Sequence, residues 1–197
     1  MSLPRVAILI SGGGSNMVAL VNAMHSEGFA DPILVISNKP DAAGLAKAEA
    51  LGVATAVVDH RAHDGRPAFE AALTATLEKA APDVVCLAGF MRILTEEFTS
   101  RWAGKLLNIH PSILPLFPGL HTHTRALEAG MAVHGCTVHE VTGELDAGPI
   151  LGQAIIPVER ADTPETLAAR LLPKEHALYP AVLRRFVEGD RTPLALL

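Results

Sequence analysis

Two spacings of apolar residues alternate along this chain. Val6 to Ile10 is an unbroken apolar run that stops at Ser11-Gly12-Gly13-Gly14, and Met17, Leu20, Val21 and Met24 then recur at i, i+3, i+4 and i+7. A short apolar run bounded by turn residues predicts a buried strand, and the second spacing predicts one face of a helix. The first unit is therefore strand, glycine loop, helix. Ile33 to Ile36 and Ala54 to Val58 predict the next strands, with a short Ala-rich helix over Gly44 to Leu51 closed by Gly52. Asp64 is placed to cap a helix whose buried stripe is Phe69, Ala72, Leu73, Leu77 and Ala80, with Pro67 tolerated in its first turn.

Val84 to Leu87 and Leu106 to Ile109 predict two central strands, separated by a short helix around Thr95 to Ala103. Beyond them Val133 to Val141 and Ile150 to Val158 read as a hairpin, joined by Thr142 to Gly148. A last helix is expected from about Pro164 toward Gly189, with a kink or break at Pro173. Strands alternating with helices predict an α/β fold: a Rossmann-like, mostly parallel sheet with helices on both faces and an added C-terminal hairpin. The 197 residues carry no visible linker or repeat, so one domain is expected, about 1–105 forming one half and about 106–197 the other.

Composition narrows the chemistry. A net charge of −5, scattered Lys and Arg and only 4% aromatic residues oppose a nucleic-acid surface and point to a small-molecule substrate. The apolar run at Val6 to Ile10 is too short for a signal-peptide core, and none elsewhere approaches a membrane span, so a cytoplasmic protein without a membrane partner is expected. Cys86 and Cys136 stand alone in apolar segments, the pattern of buried thiols.

The most informative stretch is Leu106 to Pro115, LLNIHPSILP. Asn108 and His110 alternate with Leu107 and Ile109, so on a strand both polar side chains leave one face. A carboxamide N–H beside an imidazole makes a donor pair for an oxyanion, and the imidazole can also move a proton near neutral pH. The bland reading is a strand end that caps a turn. Gly13, Gly14, Ser15 and Asn16, between a strand and a helix N-terminus, are candidates to turn N–H groups toward a phosphate, the alternative being a tight turn kept for packing. Met17 stands where G-x-G-x-x-G requires its last glycine, which disfavours a nicotinamide or triphosphate site and favours a phosphate monoester. Asp146, in the turn before Gly148-Pro149, either caps its own backbone or partners His110. His121 and His123 lack the companions of a metal motif and are read as loop histidines, with no metal expected.

Five blocks in order carry a resemblance: ISGGGSN at Ile10–Asn16, APDVVCLAGFMRIL at Ala81–Leu94, LLNIHPSILPLFPGLHTH at Leu106–His123, HGCTVHEVTGELDAGPIL at His134–Leu151 and KEHALYP at Lys174–Pro180. The chain resembles the folate-dependent phosphoribosylglycinamide formyltransferases over nearly its whole length. The resemblance implies transfer of a formyl group from 10-formyltetrahydrofolate to the amine of glycinamide ribonucleotide. It also implies catalysis by Asn108, His110 and Asp146, phosphate binding by Gly13, Gly14, Ser15 and Asn16, and further ribonucleotide contacts at Lys174 and Glu175. A folate site lined by Arg66, Met91, Arg92, Ile93, Leu94, Asn108, Val141, Thr142, Gly143, Glu144, Leu145 and Asp146 follows from it too, as does a cis bond before Pro115. Within HTHTRAL, His121 to Leu127, the arginine stands one place later than in the family pattern.

The expected mechanism needs neither metal nor covalent intermediate. An amine attacks the formyl carbon, Asn108 and charged His110 bind the resulting oxyanion, and Asp146 favours the histidine cation and helps a water carry the proton. Both substrates must be bound together, in a cleft expected at the carboxyl ends of the strands. Three other readings stay open at this point: a methionyl-tRNA formyltransferase, a formyltetrahydrofolate hydrolase, and a nucleotide-binding module in which Asn108, His110 and Asp146 are dispensable.

Overall fold

The computed structural model describes residues 2–197, which form an α/β fold with a mostly parallel sheet. The chain divides into two compact units, one ending at Leu107 and the other running from Asn108 to Leu197.

In the first unit β1 (Arg5–Ile10) lies between β2 (Asp31–Ser37) and β4 (Val84–Leu87), and β2 continues to β3 (Thr55–Val57), all in parallel. Val6 to Ile10 are fully buried, as expected of an apolar run covered on both faces. Helices α1 (Ser15–Glu27), α2 (Ala43–Ala50), α3 (Gly65–Ala80) and α4 (Glu96–Arg101) connect the strands. Met17, Leu20, Val21 and Met24 are the buried face of α1. Asp64 stands at the N-cap of α3, but its side chain makes no capping hydrogen bond, which corrects the capping role expected of it. Phe69, Leu73 and Leu77 are buried as expected, whereas Ala72 and Ala80 are only half-buried.

Strand β5 (Leu106–His110) crosses from one unit to the other. The second unit continues with α5 (Thr122–Glu128), the antiparallel pair β6 (Val133–Glu140) and β7 (Ile150–Pro157), α6 (Pro164–Val187) and β8 (Leu194–Leu196), which pairs in parallel with β7. Helix α6 lays Leu167, Leu171, Leu178, Val182 and Phe186 into the core and packs against β7 at Gly152, where a Cβ would fall 2.5 Å from Val182.

Two expectations are corrected here, and one strand had not been expected. Helix α6 is helical through Leu172–Glu175, so no break occurs at Pro173. Pro173 and Ala169, whose carbonyl loses its N–H partner, are both on the exposed side, where water can serve that carbonyl. His123 lies on α5, with His121 at its N-cap, rather than in a loop. The strand β8 has no counterpart in the apolar pattern, because three residues are too few to show a period.

Candidate active site

The site is built outward from β5. Burial of Leu106, Leu107 and Ile109 fixes the register of this strand, and Asn108 and His110 consequently share a face. The side chain of His110 is nearly enclosed, with Nδ1 3.5 Å from Oδ2 of Asp146 and Nε2 3.1 Å from the carbonyl of Phe117. Both ring nitrogens face acceptors, and only the doubly protonated ring can donate to both. Asp146 arrives from the loop between β6 and β7 in a left-handed conformation, φ 53°. Its Oδ2 also accepts the Gly119 N–H at 2.8 Å, so one carboxylate oxygen ties the loop after β5 to the imidazole.

A fourth residue, His139, completes the group. Its Nδ1 is 2.9 Å from the Glu140 carbonyl, so that nitrogen carries the proton and Nε2 is left to accept from Nδ2 of Asn108 at 3.2 Å. Burial holds His139 below the ordinary histidine range; the Glu140 carbonyl and Asp146 oppose that shift, and His110 adds to it. Its neutral ring thus fixes which way the Asn108 carboxamide points and leaves that amide a second N–H to offer. Nothing in the sequence pattern marks His139, which falls within an otherwise strand-like alternation.

The loop after β5 is held as tightly as the strand. The Leu114-Pro115 bond is cis, the Leu114 N–H donates to Oγ1 of Thr137, and Gln153 Nε2 donates to the Leu114 carbonyl. Phe117, Gly119 and His121 all take positive φ. Among the described residues no group of three or more His, Cys, Asp or Glu is placed to hold a metal ion. His123 instead pairs with His134, Nδ1 to Nε2 at 3.0 Å.

The formyl transferase family model matches residues 4–183. The phosphoribosylglycinamide formyltransferase of Escherichia coli (strain K12) is 48% identical over 186 residues, covering 94% of this chain and 88% of that protein. The chain belongs to the phosphoribosylglycinamide formyltransferase family. A crystal structure of the phosphoribosylglycinamide formyltransferase from Brucella melitensis superposes with a TM-score of 0.91 at 54% identity, covering 95% of this chain and 97% of that one. Trifunctional purine biosynthetic protein adenosine-3 of Bos taurus is 48% identical as well, but this chain spans only 18% of its length.

Other residues that the formyltransferase resemblance points to lie elsewhere on the two units. In the first, Gly14 at φ +68° is the N-cap of α1, followed by Ser15 and Asn16 in the first turn, while Lys47 Nζ donates to the Gly13 carbonyl at 2.8 Å. A Cβ on Gly14 would fall 3.0 Å from Cα of Gly44, so the loop needs glycine for its conformation and its packing. The segment Met91 to Leu94 is pinned at both ends: the Met91 N–H donates to Ser11 Oγ at 2.7 Å, and the Thr95 N–H donates to Glu70 at 2.9 Å. Between these pins Met91 and Ile93 stand 69% and 59% exposed. Arg66 and Arg92 are exposed too.

In the second unit Val141 to Leu145 form the exposed or half-exposed run before Asp146. Lys174 Nζ donates to the Leu197 carbonyl at 2.7 Å, so its ammonium is engaged near the end of the chain. Glu175 lies on the buried face of α6, and burial together with its charge pushes the Cys136 thiol up to about 12. No helix among the described residues is long and apolar enough to cross a membrane.

Proposed function

We propose that this protein transfers the formyl group of 10-formyltetrahydrofolate to the amine of glycinamide ribonucleotide in de novo purine biosynthesis. The observation that carries this reading is His110 held between the Asp146 carboxylate and the Phe117 carbonyl, on the same strand face as Asn108. The family relationship supports the choice of substrates. Ser15, Asn16 and the backbone of Gly13 and Gly14 bind the ribonucleotide phosphate at the N-terminus of α1, where N–H groups and the helix dipole favour an anion. Lys174 and Glu175 are the further ribonucleotide contacts in this reading.

The folate supplies the formyl group. Arg66, Met91 to Leu94 and Val141 to Asp146 hold it, and the exposed apolar side chains of Met91 and Ile93 on a pinned segment suit a flat, largely apolar ligand. The ribonucleotide amine attacks the formyl carbon, so a carbon–nitrogen bond forms while negative charge grows on the formyl oxygen. Asn108 offers its second N–H to that oxygen, and His110, still braced by the Phe117 carbonyl, shares its Nε2 N–H with the oxyanion, a stronger acceptor. Asp146 stays beside Nδ1 throughout. The amine proton passes, with Asp146 ordering a water, to the folate nitrogen as the old carbon–nitrogen bond breaks. Both small molecules are bound at once, in the cytoplasm and without a nucleic-acid partner.

The direct test follows loss of the formyl group from 10-formyltetrahydrofolate with glycinamide ribonucleotide, with methionyl-tRNA, and with no acceptor. Deformylation that requires the ribonucleotide is expected. Release of formate without any acceptor, or transfer to the tRNA instead, would overturn the proposal.

A further inference from the structure

The loop at 117–121 reaches the candidate catalytic pair through its backbone. The Phe117 carbonyl faces His110 Nε2, and the Gly119 N–H donates a hydrogen bond to Asp146. The backbone between and around these two contacts is costly to hold. Phe117 at φ 57° and His121 at φ 57° are both left-handed without being glycine, a conformation that persists only where the surroundings enforce it. The side chain in contact with this stretch comes from α5. Nη1 of Arg125 donates to the Pro118 carbonyl at 2.5 Å and to the Leu120 carbonyl at 3.4 Å, and its guanidinium carbon lies 5.5 Å from the centre of the Phe117 ring. Four consecutive residues are thus tied alternately to the candidate catalytic pair and to one arginine: Phe117 to His110, Pro118 to Arg125, Gly119 to Asp146 and Leu120 to Arg125.

We propose that Arg125 is a positioning residue for formyl transfer, holding the 117–121 loop in the one conformation that presents the Phe117 carbonyl to His110 and the Gly119 N–H to Asp146. The inference rests on the reading of His110 and Asp146 given above. A guanidinium suits the task because its charged N–H groups reach two carbonyls while its plane covers an aromatic ring. Without it, the left-handed residues relax toward commoner conformations. The Phe117 carbonyl then leaves His110, and Asp146 loses the N–H that sets its own rotamer. Arg125 itself touches neither reacting group, so its loss changes geometry and not the inventory of acids and bases.

The test compares the parent protein with Arg125→Ala and Arg125→Lys by steady-state kinetics, thermal melting and nitrogen NMR of the His110 ring without substrates. In Arg125→Ala we expect kcat to fall ten- to a hundredfold, on the order of the loss that a small misplacement of a catalytic group produces. The KM for the ribonucleotide should change by no more than about twofold, as phosphate binding is assigned elsewhere. The His110 Nε2 resonance should move from its hydrogen-bonded position. Arg125→Lys keeps a cation that reaches the carbonyls, and it should recover part of kcat and of the resonance position; it also serves if the alanine variant does not fold. A folded variant with altered melting but unchanged kcat and an unchanged His110 signal would reduce Arg125 to a prop for α5 and overturn the proposal. The two readings fail separately: a parent inactive with the ribonucleotide defeats the substrate assignment, while the His110 signal still reports on the loop.

Discussion

Asp146 carries three relations at once: it accepts a backbone N–H from Gly119, faces Nδ1 of His110, and lies 3.8 Å from Nε2 of His139. Asp146→Asn preserves its size and removes its charge, and a carboxamide nitrogen turned toward Gly119 would set donor against donor. Turnover should fall by at least about a hundredfold, the scale for losing one acid-base or oxyanion element, while ribonucleotide binding measured by calorimetry stays within about threefold, since this reading places the phosphate contacts elsewhere. Unimpaired turnover would return Asp146 to a residue that caps its own turn. At the phosphate loop the geometry decides which substitution is informative. Any side chain on Gly14 strains its backbone and meets Gly44, so loss of binding there would not separate phosphate contact from misfolding. Ser15, the first residue of α1, is the better probe. Ser15→Asp places an anion where the helix dipole tolerates it but a phosphate would be repelled. The expected result is ribonucleotide affinity lowered at least about tenfold, consistent with the cost of placing like charges together, with folate affinity and melting temperature nearly unchanged. Equal loss of both ligands would remove the loop from the phosphate assignment.

Among the elements, α6 offers the sharpest test. Because the helix runs through Pro173 unbroken and this residue is exposed, Pro173→Ala can restore the N–H to Ala169 carbonyl bond without repacking the core. A proline in a helix interior costs about 3 kcal/mol, and the alanine chain gives back roughly 1 kcal/mol through its freer unfolded state, so a net stabilisation of about 2 kcal/mol is expected in urea unfolding. A lower midpoint would mean that the backbone has adapted to the ring. The expectation of a break failed because a proline rule read along the sequence takes no account of which face meets water. The strand and helix patterns were legible where burial leaves a trace in the sequence: β1 as an unbroken apolar run, the α1 stripe at helical spacing, and the shared face of Asn108 and His110 from alternation along a strand. What was not legible has no period. Arg125 acts on carbonyls five to seven residues behind it, His139 reaches Asn108 from 31 positions away, and the Asp146 turn was linked to His110 chiefly by the family resemblance.

At the scale of the whole molecule, the buried histidines make stability a function of pH. His123, His134, His139 and His176 all lie in the second unit, and burial is the foremost cause that lowers each of them. His134 is the strongest case. It is 1% exposed, hydrogen-bonded to the Pro111 backbone and to His123, and brought down to about 4. The sign is set by which state binds protons. The unfolded chain takes up a proton near pH 6.5, whereas the folded chain refuses it until about pH 4, so stability is fully present above pH 6.5 and is lost as pH falls through that interval. For His134 alone the loss is on the order of 3 kcal/mol, at about 1.4 kcal/mol per unit of pH. Carboxylates held low, such as Asp59 and Asp190 at about 2, titrate below this window and do not obscure it. Urea unfolding at pH 7.5, 6.5, 5.5 and 4.5 should therefore give a free energy that is flat at first and then declines steadily. In His134→Gln, which keeps a polar side chain of similar size but takes up no proton, the decline should be shallower by most of the His134 contribution. Stability that does not change between pH 7 and 4.5, or an identical decline in the variant, would show that His134 takes up its proton in the folded protein as readily as in the unfolded chain.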